Sequence, residues 1–154
     1  MSEANASFTI APIAAEHRGD WESLYTAYAE FYAVAQTAEM RASVWTWLAD
    51  DAHELSGFLA IDANGRGIGL AHYRPFTRPL AASTGGFLDD LFVSPEWRGK
   101  RVADALVAAV VAEARARRWT VVRWITAEDN HRGRGFYDRV AERTHWVTYQ
   151  IPLV

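Results

Sequence analysis

Two adjacent carboxylates, Asp89 and Asp90, stand directly before an apolar run, Leu91-Phe92-Val93. A basic, glycine-containing stretch, Arg98-Gly99-Lys100-Arg101-Val102-Ala103, follows shortly after. The spacing reads as a strand ending at Val93, a tight loop carrying Pro95, Arg98 and Gly99, and a helix beginning near Lys100. A strand that feeds a helix through such a loop aims several free main-chain N–H groups at one point. The helix dipole adds partial positive charge there, so the loop suits a phosphate. Gly99 allows main-chain angles closed to a residue with a β-carbon. On a regular strand Asp89 and Asp90 point to opposite faces, so they do not form a dyad sharing one site. Asp89 then shares the face of Leu91 and Val93. Two charges on a covered strand are costly unless they pair with arginine at a strand end or face a wet cleft. A third group is aromatic: Tyr28 and Tyr32 recur at helical spacing in one expected helix, and Trp45 lies on the next. Core packing is their plainer account, and the functional one is a pocket wall, because aromatic faces attract a cationic amine.

Several chemistries are excluded by what is missing. The chain has no cysteine, hence no thiolate nucleophile, no disulfide framework and no Cys-ligated zinc. Its five histidines show no metal-ligand spacing, and His72 and His145 read as structural. A formal charge of −3 is not that of a strongly basic nucleic-acid binder. The polar stretch Met1–Ser7 does not resemble a signal peptide, and no apolar run approaches the roughly 20 residues of a membrane span. The expectation is a soluble, cytoplasmic protein. With 154 residues and half of them apolar, residues 1–154 are expected to form a single domain with its own core.

The elements that must position these groups follow from patterning. Phe8–Ile13 alternates as a strand. Asp20 reads as the N-cap of a helix running to about Val34, and Thr37 as the cap of a second with Met40, Val44, Trp47 and Leu48 on one face. Ser56–Ile61 and Gly69–Arg74 form a hairpin around Asp62-Ala63-Asn64-Gly65, where Asn-Gly supplies the positive φ of the turn. Arg78–Gly86 reads as a loop, and Phe87–Val93 as the central strand. In the helix that follows, Ala103, Leu106, Val107, Val110 and Ala114 make a buried stripe, with Arg115, Arg117 and Arg118 near its C-terminus. Thr120–Thr126 is a strand, a helix opens at Asp129 or Asn130 and reaches about Ala141, and Trp146–Ile151 is expected to close the sheet. The order βααβββαβαβ makes an α/β protein with a mixed sheet and helices on both faces. Its strand–helix–strand unit requires the Phe87 and Thr120 strands to be parallel.

The loop resembles motif A of the GNAT acyl-CoA N-acetyltransferases, Arg/Gln-x-x-Gly-x-Gly/Ala, on Arg98 to Ala103. Arg101 stands where the family usually has glycine. Asn130-His131-Arg132-Gly133-Arg134-Gly135-Phe136-Tyr137 is similar to the family's motif B, which often has alanine in place of Gly133. Two acids before a Phe-Val segment resemble the spermidine/spermine-type and histone-type branches. The run from Val140 to Tyr149 is similar to the branch of the yeast histone-type and D-amino-acid acetyltransferases. The resemblance covers nearly the whole chain.

What it implies is acetyl transfer from acetyl-CoA to an amine, with no metal. Arg98, Gly99, Lys100, Arg101, Val102 and Ala103 would cradle the coenzyme's pyrophosphate. The main chain of Leu91, Phe92 and Val93 would polarise the thioester oxygen. Asn130 and Phe136 would hold the pantetheine arm, and Tyr137 would be the general acid for the leaving thiolate. Asp89 is the first choice of base and Asp90 the second, with Asp90 also binding the ammonium beside Tyr28 and Tyr32. The implied acceptor is a primary amine of a small molecule, a polyamine or amino acid. The alternatives are a protein or histone-tail lysine, or a non-catalytic acyl-CoA-binding sensor. Relatives of that branch assemble through the terminal strand, so a homodimer or higher homo-oligomer is implied.

Overall fold

In a computed structural model of the chain, the structure describes residues 7–154. Met1–Ala6, part of the polar N-terminal stretch, lie outside them. The chain divides into two compact units, Met1–Trp124 and Ile125–Val154.

The first unit is built on a five-stranded mixed sheet in the order β1-β2-β3-β4-β5. The strands are β1 (Phe8–Pro12), β2 (Ser56–Asp62), β3 (Gly67–Arg78), β4 (Ser83–Val93) and β5 (Val122–Arg123). Neighbours are antiparallel except β4 and β5, which run parallel as the strand–helix–strand unit requires. The β2–β3 turn has the expected chemistry. Gly65 takes φ +80°, and the Asp62 carboxylate accepts the N–H groups of Asn64 and Arg66.

Helix α1 (Arg18–Phe31) is entered through a single 3-10 turn, Ala15–His17. Asp20 therefore lies inside the first turn rather than at the cap. Its carboxylate instead accepts the N–H of Gly67 at 2.8 Å and ties the helix to the start of β3. Helix α2 (Ala38–Ala49) is capped by Thr37, whose hydroxyl accepts the Met40 N–H. Trp21 and Leu24 of α1 pack with Leu59, Leu70 and Phe92 of the sheet, and Val44, Trp45 and Leu48 of α2 close over them. Helix α3 (Val102–Ala116) covers the other face. A β-carbon on Gly69, the neighbour of Leu70, would meet Leu106 and Val102 of α3. Residues of β3 thus alternate between α1 and α3. The buried stripe of α3 is Val102, Leu106, Val107, Val110 and Ala114, with Ala103 half-buried.

Two expectations about strands change. The segment Arg78–Gly86 is mostly sheet: β3 continues to Arg78 and β4 begins at Ser83, leaving only a 3-10 turn at Pro79–Ala81. Paired main-chain groups on both sides outweigh the local turn signal of proline and glycine. The C-terminal strand is absent. After α4 (His131–Val140) no helix or strand forms, and Trp146, Val147, Tyr149 and Ile151 are exposed. Alternation prepares a segment for a sheet, but a strand exists only where an edge offers hydrogen bonds.

Candidate active site

One irregularity decides where the acids point. Across β3 and β4, His72 is opposite Asp90 and Tyr73 is opposite Leu88, so Asp89 is an extra, unpaired residue in β4. Such a bulge re-aims the side chains around it. Asp90 comes to the α1 side with Phe92, facing Tyr25 and His72. Asp89 does not join Leu91 and Val93 on the α3 side. It bonds to the Arg74 Nε at 3.0 Å, and Arg74 alternates with His72 on the α1 side and lies over the Phe87 ring. The bulge therefore undoes the expectation of opposite faces, and the two carboxylates influence one another.

Asp90 sits at the end of a directed hydrogen-bond chain. Trp21, 1% exposed, donates its indole N–H to His72 Nε2 at 2.9 Å. His72, fully buried, meets Asp90 Oδ2 through Nδ1 at 2.8 Å. Tyr25 donates its hydroxyl to the same oxygen at 3.1 Å, and the Tyr28 hydroxyl lies near enough to feel the Asp90 charge. Burial alone pushes the Asp90 carboxyl up. The hydrogen bond from His72, the positive charge that ring carries when protonated, and the neighbouring Tyr25 and Tyr28 hydroxyls outweigh it and leave the group below its usual range. Burial, then the charge of Asp90, raises both tyrosines, so they remain donors. Asp89 is displaced the other way: desolvation raises it, and Arg74 opposes that only in part.

The aromatic residues line the same place. Tyr25 stacks on Tyr28, Tyr28 meets Tyr32 and Phe92 edge-on, and Trp45 lies against Trp21. Tyr25 and Tyr28 serve the core and border Asp90 at once. Tyr25, Trp21 and His72 were not among the sequence-derived site residues. The one signal for His72 was a lone polar residue in the buried run from Gly67 to Tyr73.

Beyond Val93 the chain makes a 3-10 turn, Pro95–Trp97, and then two left-handed residues, Gly99 at φ +77° and Arg101 at φ +64°. Arg101 is the N-cap of α3, which has no side-chain cap. Among the described residues, the N–H groups of Gly99, Lys100 and Arg101 have no main-chain acceptor. Arg101 does not take the helical angles that a non-glycine residue prefers. It holds the glycine conformation at a strain of about 1–2 kcal/mol. The cationic side chains leave the loop centre. Arg98 donates to the Val93 carbonyl and lies over Phe31 and Phe92, Lys100 covers Trp97, and Arg101 is largely exposed, 4.0 Å from Asp104. The loop thus offers main-chain donors and an open surface at Gly99, where nothing lies within 4 Å of an added β-carbon. That fits a diphosphate. β4 pairs with β5 only at Gly86 and Phe87, so its edge from Leu88 to Val93 has no strand neighbour on that side among the described residues.

In the second unit, Asn130 caps α4: its carboxamide oxygen accepts the Gly133 N–H, and its nitrogen bonds to Thr126. A β-carbon on Gly133 would collide with that carboxamide, which is why glycine stands there. Phe136 and Tyr137 are in ring contact on the same helix. No group of three or more His, Asp or Glu residues able to hold a metal occurs among the described residues.

Residues 21–141 match the acetyltransferase (GNAT) family. The chain is 29% identical over 131 residues to the D-amino-acid N-acetyltransferase HPA3 of Saccharomyces cerevisiae, covering 84% of this chain and 81% of that protein. It is 33% identical over 93 residues to the aminoglycoside N(6')-acetyltransferase type 1 of Stenotrophomonas maltophilia, covering 53% of this chain and 61% of the relative. Aminoglycoside N-acetyltransferase AAC(6')-Iy, solved in complex with CoA, superposes with a TM-score of 0.83 over all of both chains at 20% identity.

Proposed function

This chain belongs to the GNAT family of acetyltransferases, and from that membership we propose that it moves the acetyl group of acetyl-CoA to a primary amine of a small molecule, an amino acid or polyamine. Residues 1–154 are read as one such domain, since the matched span crosses both compact units. The observation that carries the proposal is Asp90, a mostly buried carboxylate on the α1 side of β4, kept ionised by buried donors and bordered by tyrosine rings. Such a group selects a cation with an N–H to give.

Attack needs the free amine. An alkyl ammonium with a pKa near ~10.4 is neutral about one part in a thousand near pH 7.4, a barrier of roughly 4 kcal/mol. Two carboxylates with displaced affinities divide the work: Asp90, held low, anchors the ammonium, and Asp89, held high, takes its proton through water. The nitrogen lone pair then forms the C–N bond as the C–S bond breaks, and the second proton of the nitrogen leaves through water, which makes good the proton that Tyr137 gives up. N–H groups on the free edge of Leu91–Val93 polarise the thioester oxygen, Asn130 and Phe136 hold the pantetheine arm, and Tyr137 protonates the thiolate. The Arg98–Ala103 loop grips the diphosphate through its main chain.

The test is thiol release from acetyl-CoA across polyamines, D- and L-amino acids, an aminoglycoside and a lysine peptide. Release with the small amines is expected. Release with the peptide alone would assign the chain to protein acetylation, and tight coenzyme binding without release would make it a sensor. Tyr137→Phe should lower kcat by about 10²-fold with coenzyme affinity retained; an unchanged kcat removes its role. Exposed Trp146, Tyr149 and Ile151 support pairing of the C-terminal segment with a second copy, which makes the working form a homodimer. Sedimentation velocity should then find a dimer that Tyr149→Lys weakens. No helix among the described residues is long and apolar enough to cross a membrane.

A further inference from the structure

We infer that Trp21 locks His72 into one uncharged tautomer aimed at Asp90, which makes His72 a positioning residue for the amine-binding carboxylate. The inference rests on the reading of Asp90 as the ammonium anchor. Its geometry comes from donor and acceptor capacity. An indole N–H donates only, so the Nε2 it meets at 2.9 Å carries no proton. The proton of the neutral ring is therefore on Nδ1, which donates to Asp90 Oδ2 at 2.8 Å. A second proton on Nε2 would set two donors against each other inside a fully buried contact.

The consequence concerns charge. Beside a free Nε2, the Asp90 carboxylate would draw a proton onto the imidazole, and an imidazolium would cancel the charge that the substrate must find. Trp21 prevents this from the far side of the ring. Other groups around the ring do not do so. Tyr25 donates to Asp90 from α1 and Tyr28 lies beside it, both held neutral by burial. Asp89 on β4 is acidic and is itself bonded to Arg74 of β3. On β2, Gly57 lies opposite His72, and a β-carbon there would meet the imidazole carbon edge.

Two measurements test this. In the wild-type protein, nitrogen-15 spectra of the imidazoles, with the His72 signal identified by its loss in His72→Gln, should show the Nδ1-protonated tautomer throughout about pH 6 to 8. An Nε2-protonated ring or an imidazolium in that window overturns the inference, and this arm needs neither substrate nor a folded Trp21 variant. In Trp21→Phe, the KM for the amine should rise about tenfold between pH 8 and pH 6, where the wild-type KM is flat, while the KM for acetyl-CoA holds. A merely structural Trp21 would lower the melting temperature without changing the shape of that profile. A flat profile in a folded variant therefore overturns the positioning role. Absence of turnover with every amine would defeat the functional reading and leave the tautomer result to stand or fall on the spectra.

Discussion

At Asp90 a carboxylate is held by side chains from two other elements, whereas a few residues further along the chain the loop before α3 offers only main chain. The first region is closed: Trp21, His72 and Tyr25 all spend their donors inward. The second is open: Gly99, Lys100 and Arg101 present N–H groups without main-chain acceptors, and the neighbouring cations are turned onto aromatic rings. On the function proposed above, the contrast lets one strand serve two ligands of opposite charge. A buried, pre-paired anion discriminates among cations, because any ligand must match its remaining geometry. A set of main-chain donors at a helix start accepts any diphosphate of the right shape.

The largest break expected in this comparison is Asp90→Asn. It should lower kcat/KM for the amine by about 10²–10³-fold, roughly 3–4 kcal/mol, with coenzyme affinity by calorimetry within about twofold. An equal loss of coenzyme affinity would mean that the two regions are not separate.

Acid should act next. Asp89 lies above its usual range, so its ionised, proton-accepting form is lost as pH falls through that raised value. kcat/KM for the amine should then fall about tenfold per pH unit, before the carboxylates of ordinary affinity titrate. Coenzyme binding followed over the same range should show no matching step.

Gly99→Ala sharpens the other side. A β-carbon there meets no atom, so the penalty is purely the φ of +77°. At about 1–2 kcal/mol it should weaken coenzyme binding about tenfold through a displaced loop, with the amine KM retained. Arg101→Gly is the smallest change. It relieves a left-handed arginine but frees the unfolded chain, for a net gain of at most about 1 kcal/mol and a rise of about 2–4 °C in melting temperature. A fall in that temperature would show that the arginine side chain stabilises the loop.

The loop was legible because its ingredients are local: proline, glycine and basic residues between a strand and an amphipathic helix. Thr37 as a cap and the Asn64-Gly65 turn were legible for the same reason. Asp89 and Asp90 were visible as residues but not as a pair of roles, because one extra residue in a register exchanges faces and no local pattern announces it. His72 and Tyr25 reach Asp90 across 18 and 65 positions of sequence, beyond any periodicity. Trp146–Ile151 alternates like a strand and forms none within this chain.

By itself, then, the order of residues determined most of the elements, the parallel strand–helix–strand unit and the turn chemistry of the loop, since each depends on neighbours in the chain and on backbone sterics. Tertiary structure alone decided which carboxylate is buried and held low, which is raised, and which histidine supports it. Those properties come from desolvation and from donors of distant segments, and both exist only once the helices have closed over the sheet.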